Sequence, residues 1–364
     1  MKSHLLREKV GTLYILGAGA SYALSQIKSH KGSIPKSITP LDKDFLHCLN
    51  INKPSTGWRR RAIEQIKDGW LEESDIFKEG LEQAIIKRVS QYDFLSNINP
   101  ARTRSKCNNE DYLNYLTHLI TAYLLKSKSN ASGDTKHFIN HVFPVGEGAG
   151  TYKNRIITFN YDTLIERPLI ERGISLKKIY FDRIVKDKID GWSRNADQKF
   201  PHPLILKLHG SANWRCSRVD FNKLLTGDPQ EEKFTIWEND KAPTPDDDES
   251  PLIIPPIPQK PITRSILFKF LWTTAFEYMH EAKEIVIVGY SCPYTDAIAR
   301  AMFTHFKNKS LQTISVVDPN VLALKNYKEM FNHTQLSNKI TWKYFDSFRE
   351  YIRANLITDK VKEN

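Results

Sequence analysis

Residues 14–24 have the sequence YILGAGASYAL, in which an apolar run gives way to a glycine-rich one. The apolar run predicts a buried β-strand, and Gly17 and Gly19 predict a tight turn into a helix. The Gly-x-Gly-x-x-Gly pattern of dinucleotide-binding turns requires a third glycine, and here that place is taken by Tyr22. The stretch therefore indicates a strand–turn–helix unit and leaves open whether the turn holds a nucleotide.

Four further apolar runs follow along the chain, at residues 156–159, 205–208, 285–288 and 314–317. They hardly alternate between apolar and polar residues, as expected of strands that are buried on both faces of a parallel sheet. Helical patterns lie between several of them. The chain is therefore predicted to be an α/β protein with a Rossmann-like parallel sheet, whose ligands bind beyond the carboxyl ends of the strands.

Residues 58–128 lack strand signals and repeat apolar residues at helical spacing. We interpret residues 56–144 as a helical module inserted into the sheet domain, which then comprises residues 1–55 and 145–364. A later segment, residues 226–261, contains several prolines and an acidic run, and we interpret it as a surface loop that returns to the sheet.

The chain of 364 residues carries 53 Lys and Arg against 42 Asp and Glu, a formal net charge of +11. This excess favours an anionic partner, such as a nucleotide or a nucleic acid on the basic surface near Arg59, Arg60 and Arg61, although a solvated surface is the simpler explanation. No uncharged apolar run reaches the roughly 18 residues of a membrane helix, so we expect no membrane association. The four cysteines lie far apart without disulfide or zinc spacing, which favours a cytoplasmic location.

Polar residues, and one glycine, follow the predicted strands after the first, at positions that would meet at one edge of the sheet. These are Asn160 and Asp162, then His209, then Gly289, Ser291 and Asp296, and finally Asp318 and Asn320. Each has an ordinary explanation, since Asn and Asp cap helices and most lone histidines are structural. Gly210 is expected to keep the surroundings of His209 open, which favours a general base there. Together with the free N–H groups expected at Gly17–Ser21, the set predicts a nucleotide site.

The ordered segments GAGAS (17–21), FNYD (159–162), LHGS (208–211), GYS (289–291) and VDPN (317–320) resemble the sirtuin superfamily. The resemblance covers most of the chain outside the helical module. Within the superfamily, the chain more narrowly resembles the bacterial sirtuin-like proteins of anti-phage defence, which hydrolyse NAD. In length and as a stand-alone chain, the protein is most similar to those that act with a HerA-type ATPase.

The resemblance implies a role for each matching position. It assigns catalysis to Asn160 and His209. It assigns NAD binding to Gly17, Ala18, Gly19, Ser21, Asp162, Gly289, Ser291, Asp296, Asp318 and Asn320. NAD is then the substrate, and no metal is required.

Two departures from the deacylating sirtuins are visible. Those enzymes carry four zinc cysteines after the histidine motif, where this chain offers only Cys216, and a glutamine where this chain has Phe159. Both departures weaken protein deacylation and leave NAD cleavage intact.

We therefore expect an NAD glycohydrolase that releases nicotinamide and ADP-ribose and acts as a gated, NAD-depleting effector of anti-phage defence. Asn160 would orient water or the ribose, His209 would act as base, and Asp162 would bind the carboxamide or polarise the ribose. A HerA-type ATPase and further copies of the chain are the expected partners. The alternatives are a sirtuin-type ADP-ribosyltransferase or deacylase, and a non-catalytic nucleotide-binding subunit of a DNA-translocating ATPase complex.

Overall fold

The structure is a computed structural model, and it describes most of the sheet region and part of the helical module. The described residues are 10–25, 57–69, 81–98, 109–126, 133–146, 152–180, 203–226, 234–237, 243–255, 257, 260, 262, 265–294, 296–332, 335–336 and 340–356.

The elements of this part of the chain follow one another in the order β1 (Thr12–Leu16), α1 (Ala18–Leu24), α2 (Trp58–Gly69), α3 (Leu81–Ile98), α4 (Asn109–Lys126), α5 (Gly133–Val142), β2 (Arg155–Thr158), α6 (Arg167–Glu171), α7 (Leu176–Tyr180), β3 (Ile205–Lys207), β4 (Gly210–Ser217), α8 (Arg218–Thr226), β5 (Phe234–Ile236), β6 (Glu249–Ile253), α9 (Ile266–Glu281), β7 (Glu284–Val288), α10 (Ala297–His305), β8 (Lys307–Asn308), β9 (Thr313–Val317), α11 (Leu322–Phe331), β10 (Gln335–Leu336), β11 (Thr341–Phe345) and α12 (Phe348–Leu356).

A six-stranded sheet with the order β11-β9-β7-β1-β2-β3 forms the centre of the fold. Every neighbouring pair in it is parallel. The chain moves outward from β1 through β2 to β3, then returns to the other side of β1 and moves outward again. This is the Rossmann order, and the direction reverses between β1 and β7, where such sheets bind ligands. The predicted Rossmann-like sheet is confirmed.

The strands β1, β2, β3, β7 and β9 are buried along almost their whole length, as their unbroken apolar runs predict. The edge strand β11 alternates in sequence and is only half-buried. Its alternation, TWKYF, is the pattern of an edge strand with one exposed face.

A second sheet is antiparallel and has the order β5-β4-β6. Two of its strands, β5 and β6, lie in the segment that the sequence predicts to be a surface loop, so that prediction is wrong. Pro251 and the acidic run obscure the strand pattern there. The strands form because β6 pairs with β4, a contact between residues more than thirty positions apart that local sequence does not encode.

The helices α2, α3 and α4 share a separate apolar cluster that includes Leu81, Ile85, Leu116 and Ile120. This cluster also contains Ile253 at the end of β6, so the helices pack against the small sheet. The helical character predicted for this region is confirmed within the described residues.

Helix α5 packs elsewhere, in the core of the central sheet, through Phe138, Ile139 and Val142. It therefore belongs by packing to the sheet layer, although its residues lie within the predicted module. The division of the chain at residues 55 and 145 stays a prediction. Of the helices described, none combines the length and the apolar character needed to cross a bilayer.

Candidate functional site

The turn after β1 packs directly against the turn after β7, at the point where the strand order reverses. The N–H of Gly17 donates to the carbonyl of Val288 (3.0 Å), and the N–H of Gly19 donates to the carbonyl of Gly289 (2.9 Å). Two of the N–H groups expected to be free for a phosphate are thus engaged within the protein.

The glycines at this contact are explained by backbone approach. Gly289 has φ +56, and a Cβ there would lie 2.4 Å from the amide nitrogen of Ala20 and 2.5 Å from the Cα of Gly19. A Cβ on Gly19 would lie 2.8 Å from the Cα of Gly289. The space that a side chain would fill is therefore occupied by the facing loop, and these glycines bring two loops together.

Asn160, which follows β2, is fixed to the first turn by its side-chain amide. Its Nδ2 donates to the carbonyl of Gly17 and to Ser21 Oγ, both at 2.7 Å. A carbonyl can only accept, so the atom facing Gly17 is the amide nitrogen. No group in the described part of the chain donates to Asn160 Oδ1. This oxygen is consequently available to accept a hydrogen bond from water or from a substrate hydroxyl.

Asp162 is the last member of the hydrogen-bonded series Asn160, Ser21 and Asp162. Ser21 Oγ donates to Asp162 Oδ2 (2.6 Å), and the N–H of Leu164 donates to Asp162 Oδ1 (3.0 Å). The carboxylate is buried, and both of its oxygens are used by the protein. Asp162 therefore caps the following turn and orients Ser21, which in turn orients Asn160.

His209 follows β3 and lies in a buried aromatic enclosure. The rings of Phe159, Tyr161 and Trp272 lie 5.3, 6.5 and 6.0 Å from its ring, centroid to centroid. Phe159 and Tyr161 flank Asn160 in sequence, so the two predicted catalytic residues lie at neighbouring strand ends, but the Asn160 side chain contacts Gly17 and Ser21 instead of these rings. His209 is 7% exposed, and its Nε2 is buried without a hydrogen-bond partner in the described residues.

Asp296 lies beside His209, although the two residues come from opposite halves of the sheet. Its Oδ2 accepts a hydrogen bond from Tyr290 (2.9 Å), and it lies 3.3 Å from Lys260 Nζ and 3.6 Å from His209 Nε2. Lys260 is buried with it. The result is a buried group of one imidazole, one carboxylate and one cation.

Burial is the main reason why the pKa of His209 falls to about 3, and the charge of Lys260 lowers this pKa further. Asp296 and a backbone hydrogen bond with Phe159 act in the opposite direction. Burial alone would raise the pKa of Asp296, but His209, Lys260 and Tyr290 together hold it below its ordinary value. At neutral pH the imidazole is thus neutral and the carboxylate ionised.

The segment after His209 is held by the small antiparallel sheet. Gly210 has φ +83, and a Cβ there would lie 2.1 Å from the carbonyl of Leu252 in β6. The N–H of Ile254 donates to the carbonyl of His209 (2.8 Å). The expectation that Gly210 keeps the surroundings of His209 open is therefore wrong, because the glycine allows β6 to close over them.

The remaining predicted residues lie at the rim of the same edge. Ala18, Ser291 and Asn320 are exposed, and Asp318 is half-buried. Asp318 Oδ1 accepts from the N–H of Asn320 (2.8 Å), so this carboxylate caps its own turn. The predicted site thus has a buried charged group around His209, a hydrogen-bonded set of Asn160, Ser21 and Asp162, and a rim open to solvent.

Three polar residues near the site escape the sequence analysis. Lys260 lies in a proline-rich segment and carries no pattern that marks it. Lys207 and Glu166 form a fully buried ion pair (3.1 Å), and Lys207 Nζ also donates to the carbonyl of Asp162. A lysine inside the apolar run ILKL of β3 is the one signal that could have found this pair.

Among the described residues, no group of three or more His, Cys, Asp or Glu side chains is placed to hold a metal ion.

The sequence matches the model of the SIR2-like domain over residues 154–342, just over half of the chain. This range includes Asn160, His209 and Asp296 and begins after the Gly17–Ser21 turn. No curated protein matches the chain significantly. Among solved structures, the chain is similar to a mutant Sir2 homologue in complex with ADP-ribose, with 13% sequence identity and a TM-score of 0.36 over 92% of this chain and 96% of that chain. That likeness is too weak to compare single residues. The domain match itself shows that the protein belongs to the SIR2-like domain family.

Proposed function

We propose that the protein is an NAD glycohydrolase, which cleaves NAD to nicotinamide and ADP-ribose at the carboxyl edge of its sheet. The observation that supports this most is the placement of Asn160 and His209. They follow neighbouring strands, His209 packs against the ring of Phe159, the residue before Asn160, and Asn160 is bound to the turn at the reversal of the strand order. Membership of the SIR2-like family agrees with a nucleotide substrate.

In the proposed reaction, water attacks C1′ of the nicotinamide ribose while the bond from C1′ to the nicotinamide nitrogen breaks. The bonding electron pair leaves with nicotinamide, and the attacking water loses one proton. Asn160 Oδ1, which the fixed amide nitrogen leaves available, accepts a hydrogen bond from that water or from a ribose hydroxyl. His209 takes the proton, directly or through a ribose hydroxyl.

The imidazole of His209 is neutral at neutral pH and one ring nitrogen has a free lone pair, as a base requires, but its pKa of about 3 makes it a weak base while it stays enclosed. The backbone hydrogen bond with Phe159 uses one nitrogen, and Nε2 is the one without a partner. Because Nε2 is enclosed, proton transfer to it requires the surrounding side chains to move apart. An enclosed base agrees with an enzyme whose activity is gated, as an NAD-depleting enzyme must be within its own cell.

The biological role proposed here is that of an effector of anti-phage defence, with a HerA-type ATPase as the gating partner. It is based on the sequence resemblance and on the need for a gate. The same applies to assembly with further copies of the chain and to contact with nucleic acid through the basic surface.

Cleavage is tested by incubating the purified full chain with NAD, with and without the partner ATPase, and separating nicotinamide and ADP-ribose by chromatography. We expect equal amounts of the two products from the wild type. His209→Ala should abolish release, and Glu329→Gln, an exposed surface change, should not. Transfer of ADP-ribose to protein or turnover of an acylated peptide would support the transferase or deacylase instead. NAD that is bound but left intact in every condition would support the non-catalytic subunit.

A further inference from the structure

Asp296 begins helix α10 as its N-cap residue, yet its side chain makes no capping hydrogen bond. An aspartate at this position ordinarily accepts from the N–H groups of the first helical turn. Here the carboxylate is turned away from the helix into the protein, and it is 3% exposed. Something other than helix capping accounts for its orientation.

The groups around Asp296 Oδ2 explain the orientation of this carboxylate. Tyr290 donates a hydrogen bond to it, and the Lys260 cation and His209 Nε2 lie within 3.3 and 3.6 Å. Asp296 Oδ1 is buried without a partner in the described residues, which is costly, so the contacts at Oδ2 must account for this carboxylate. The other groups that face His209 come from the loop after β2 and from α9, and they are the uncharged rings of Phe159, Tyr161 and Trp272. Asp296 is therefore the described anion nearest to the imidazole.

We propose that Asp296 is a positioning residue for His209, whose carboxylate stabilises the imidazolium formed when Nε2 accepts a proton, and that Lys260 opposes this by competing for the same oxygen. When Nε2 becomes protonated it turns from an acceptor into a donor that faces Oδ2. In the neutral ring, Nε2 and Oδ2 are both acceptors and form no hydrogen bond. In the imidazolium of His209, the same contact becomes a charge-assisted hydrogen bond. The sequence resemblance assigns Asp296 to NAD binding, whereas its contacts give it a different task, whose catalytic meaning rests on the proposed function.

The coupling between the two residues can be measured without NAD. Protein labelled with ¹⁵N-histidine is titrated by NMR downward from about pH 8, the upper end of the range in which histidines ordinarily change charge. Because the chemical shift of Nε2 is an average over its two protonation states, it reports partial protonation at pH values above the midpoint of the titration. His209→Gln identifies the resonance by its loss.

We expect Lys260→Met to raise the pKa of His209 by about one unit or more, since a cation is removed from its vicinity. Adding Asp296→Asn to Lys260→Met should lower this pKa again by a similar amount. The exposed pair Lys325 and Glu329 supplies matched controls, and Lys325→Met and Glu329→Gln should leave the His209 titration unchanged. Identical His209 titrations in Lys260→Met and Lys260→Met/Asp296→Asn would overturn the proposal.

Kinetics then separate positioning from substrate binding. Asp296→Asn should lower kcat for nicotinamide release by at least about 10-fold with little change in KM, because the interaction forms as the proton moves. A raised KM with unchanged kcat would show that Asp296 binds substrate, against the proposal. If the wild type does not cleave NAD while the titrations shift as expected, the proposed function fails and the coupling stands. If NAD is cleaved and the titrations do not shift, the coupling between Asp296 and His209 fails and the proposed function stands.

Discussion

Replacing Gly289 by alanine tests whether the two turns at the reversal of the strand order depend on direct backbone contact. The residue has φ +56, which costs an alanine about 1–2 kcal/mol. The new Cβ would also lie 2.4 Å from Ala20 N, and such overpacking typically costs about 1–3 kcal/mol. We therefore expect Gly289→Ala to lose about 2–5 kcal/mol of unfolding free energy.

Gly173 is the matched control, because it has φ +77 and nothing within 4 Å of the position of a Cβ. Gly173→Ala should lose only the conformational cost of about 1–2 kcal/mol. Urea unfolding of both variants, with equal m-values, isolates the contribution of the close contact. Equal losses in the two variants would refute the argument. In Gly289→Ala the carbonyl of Gly17 should also shift, which would disturb Asn160 and slow NAD cleavage.

Three further predictions concern the buried polar groups. Burial lowers the pKa of His209 to about 3 and that of His118 to about 4, so between about pH 6.5 and those values only the unfolded chain binds a proton at each residue. Each histidine should therefore lower the free energy of unfolding by about 2 kcal/mol at pH 5 relative to pH 7. His118→Gln should reduce the difference between the urea midpoints measured at pH 7 and at pH 5. Ser21→Ala breaks the link between Asn160 and Asp162 and should cost about 1–3 kcal/mol in urea unfolding and lower kcat, whereas an unchanged kcat would show that the link does not serve the site. Lys207→Met leaves the buried Glu166 carboxylate without its cation, with only the Tyr180 hydroxyl still donating to it, and should cost about 3–5 kcal/mol in the same assay. Lys207→Met/Glu166→Gln should recover much of this loss, and no recovery would show that the uncompensated charge is not its cause.

The central sheet was predictable because its strands are buried on both faces. Their apolar runs are therefore unbroken, and the polar residues after them mark the carboxyl edge. Asn160 and Asp162 were identified in this way, and their neighbourhood with His209 follows from the strand order. The sirtuin-like resemblance is confirmed at the level of the family, by a match that does not include the Gly17–Ser21 turn.

The small sheet and the charged group beside His209 were not predictable in the same way. Strands β4 and β6 pair although they are distant in sequence. Gly210 is required because the carbonyl of Leu252, more than forty residues later, occupies the space that a Cβ would need. Lys260 has no local pattern, and its proximity to Asp296 arises only when the segment after β6 packs against the loop after β7. Such contacts depend on tertiary packing, which single residues in a sequence do not reveal.

The central claim is that Asn160 and His209 together carry NAD cleavage, and the rate of nicotinamide release from purified full-length variants tests it most directly. The comparison requires the wild type, Asn160→Ala, His209→Ala and the double variant, each assayed with and without the partner ATPase. If both residues act on the same step, each single change should remove nearly all activity, and the double variant should be about as slow as either single one. Nicotinamide release at the wild-type rate by either single variant would contradict the account.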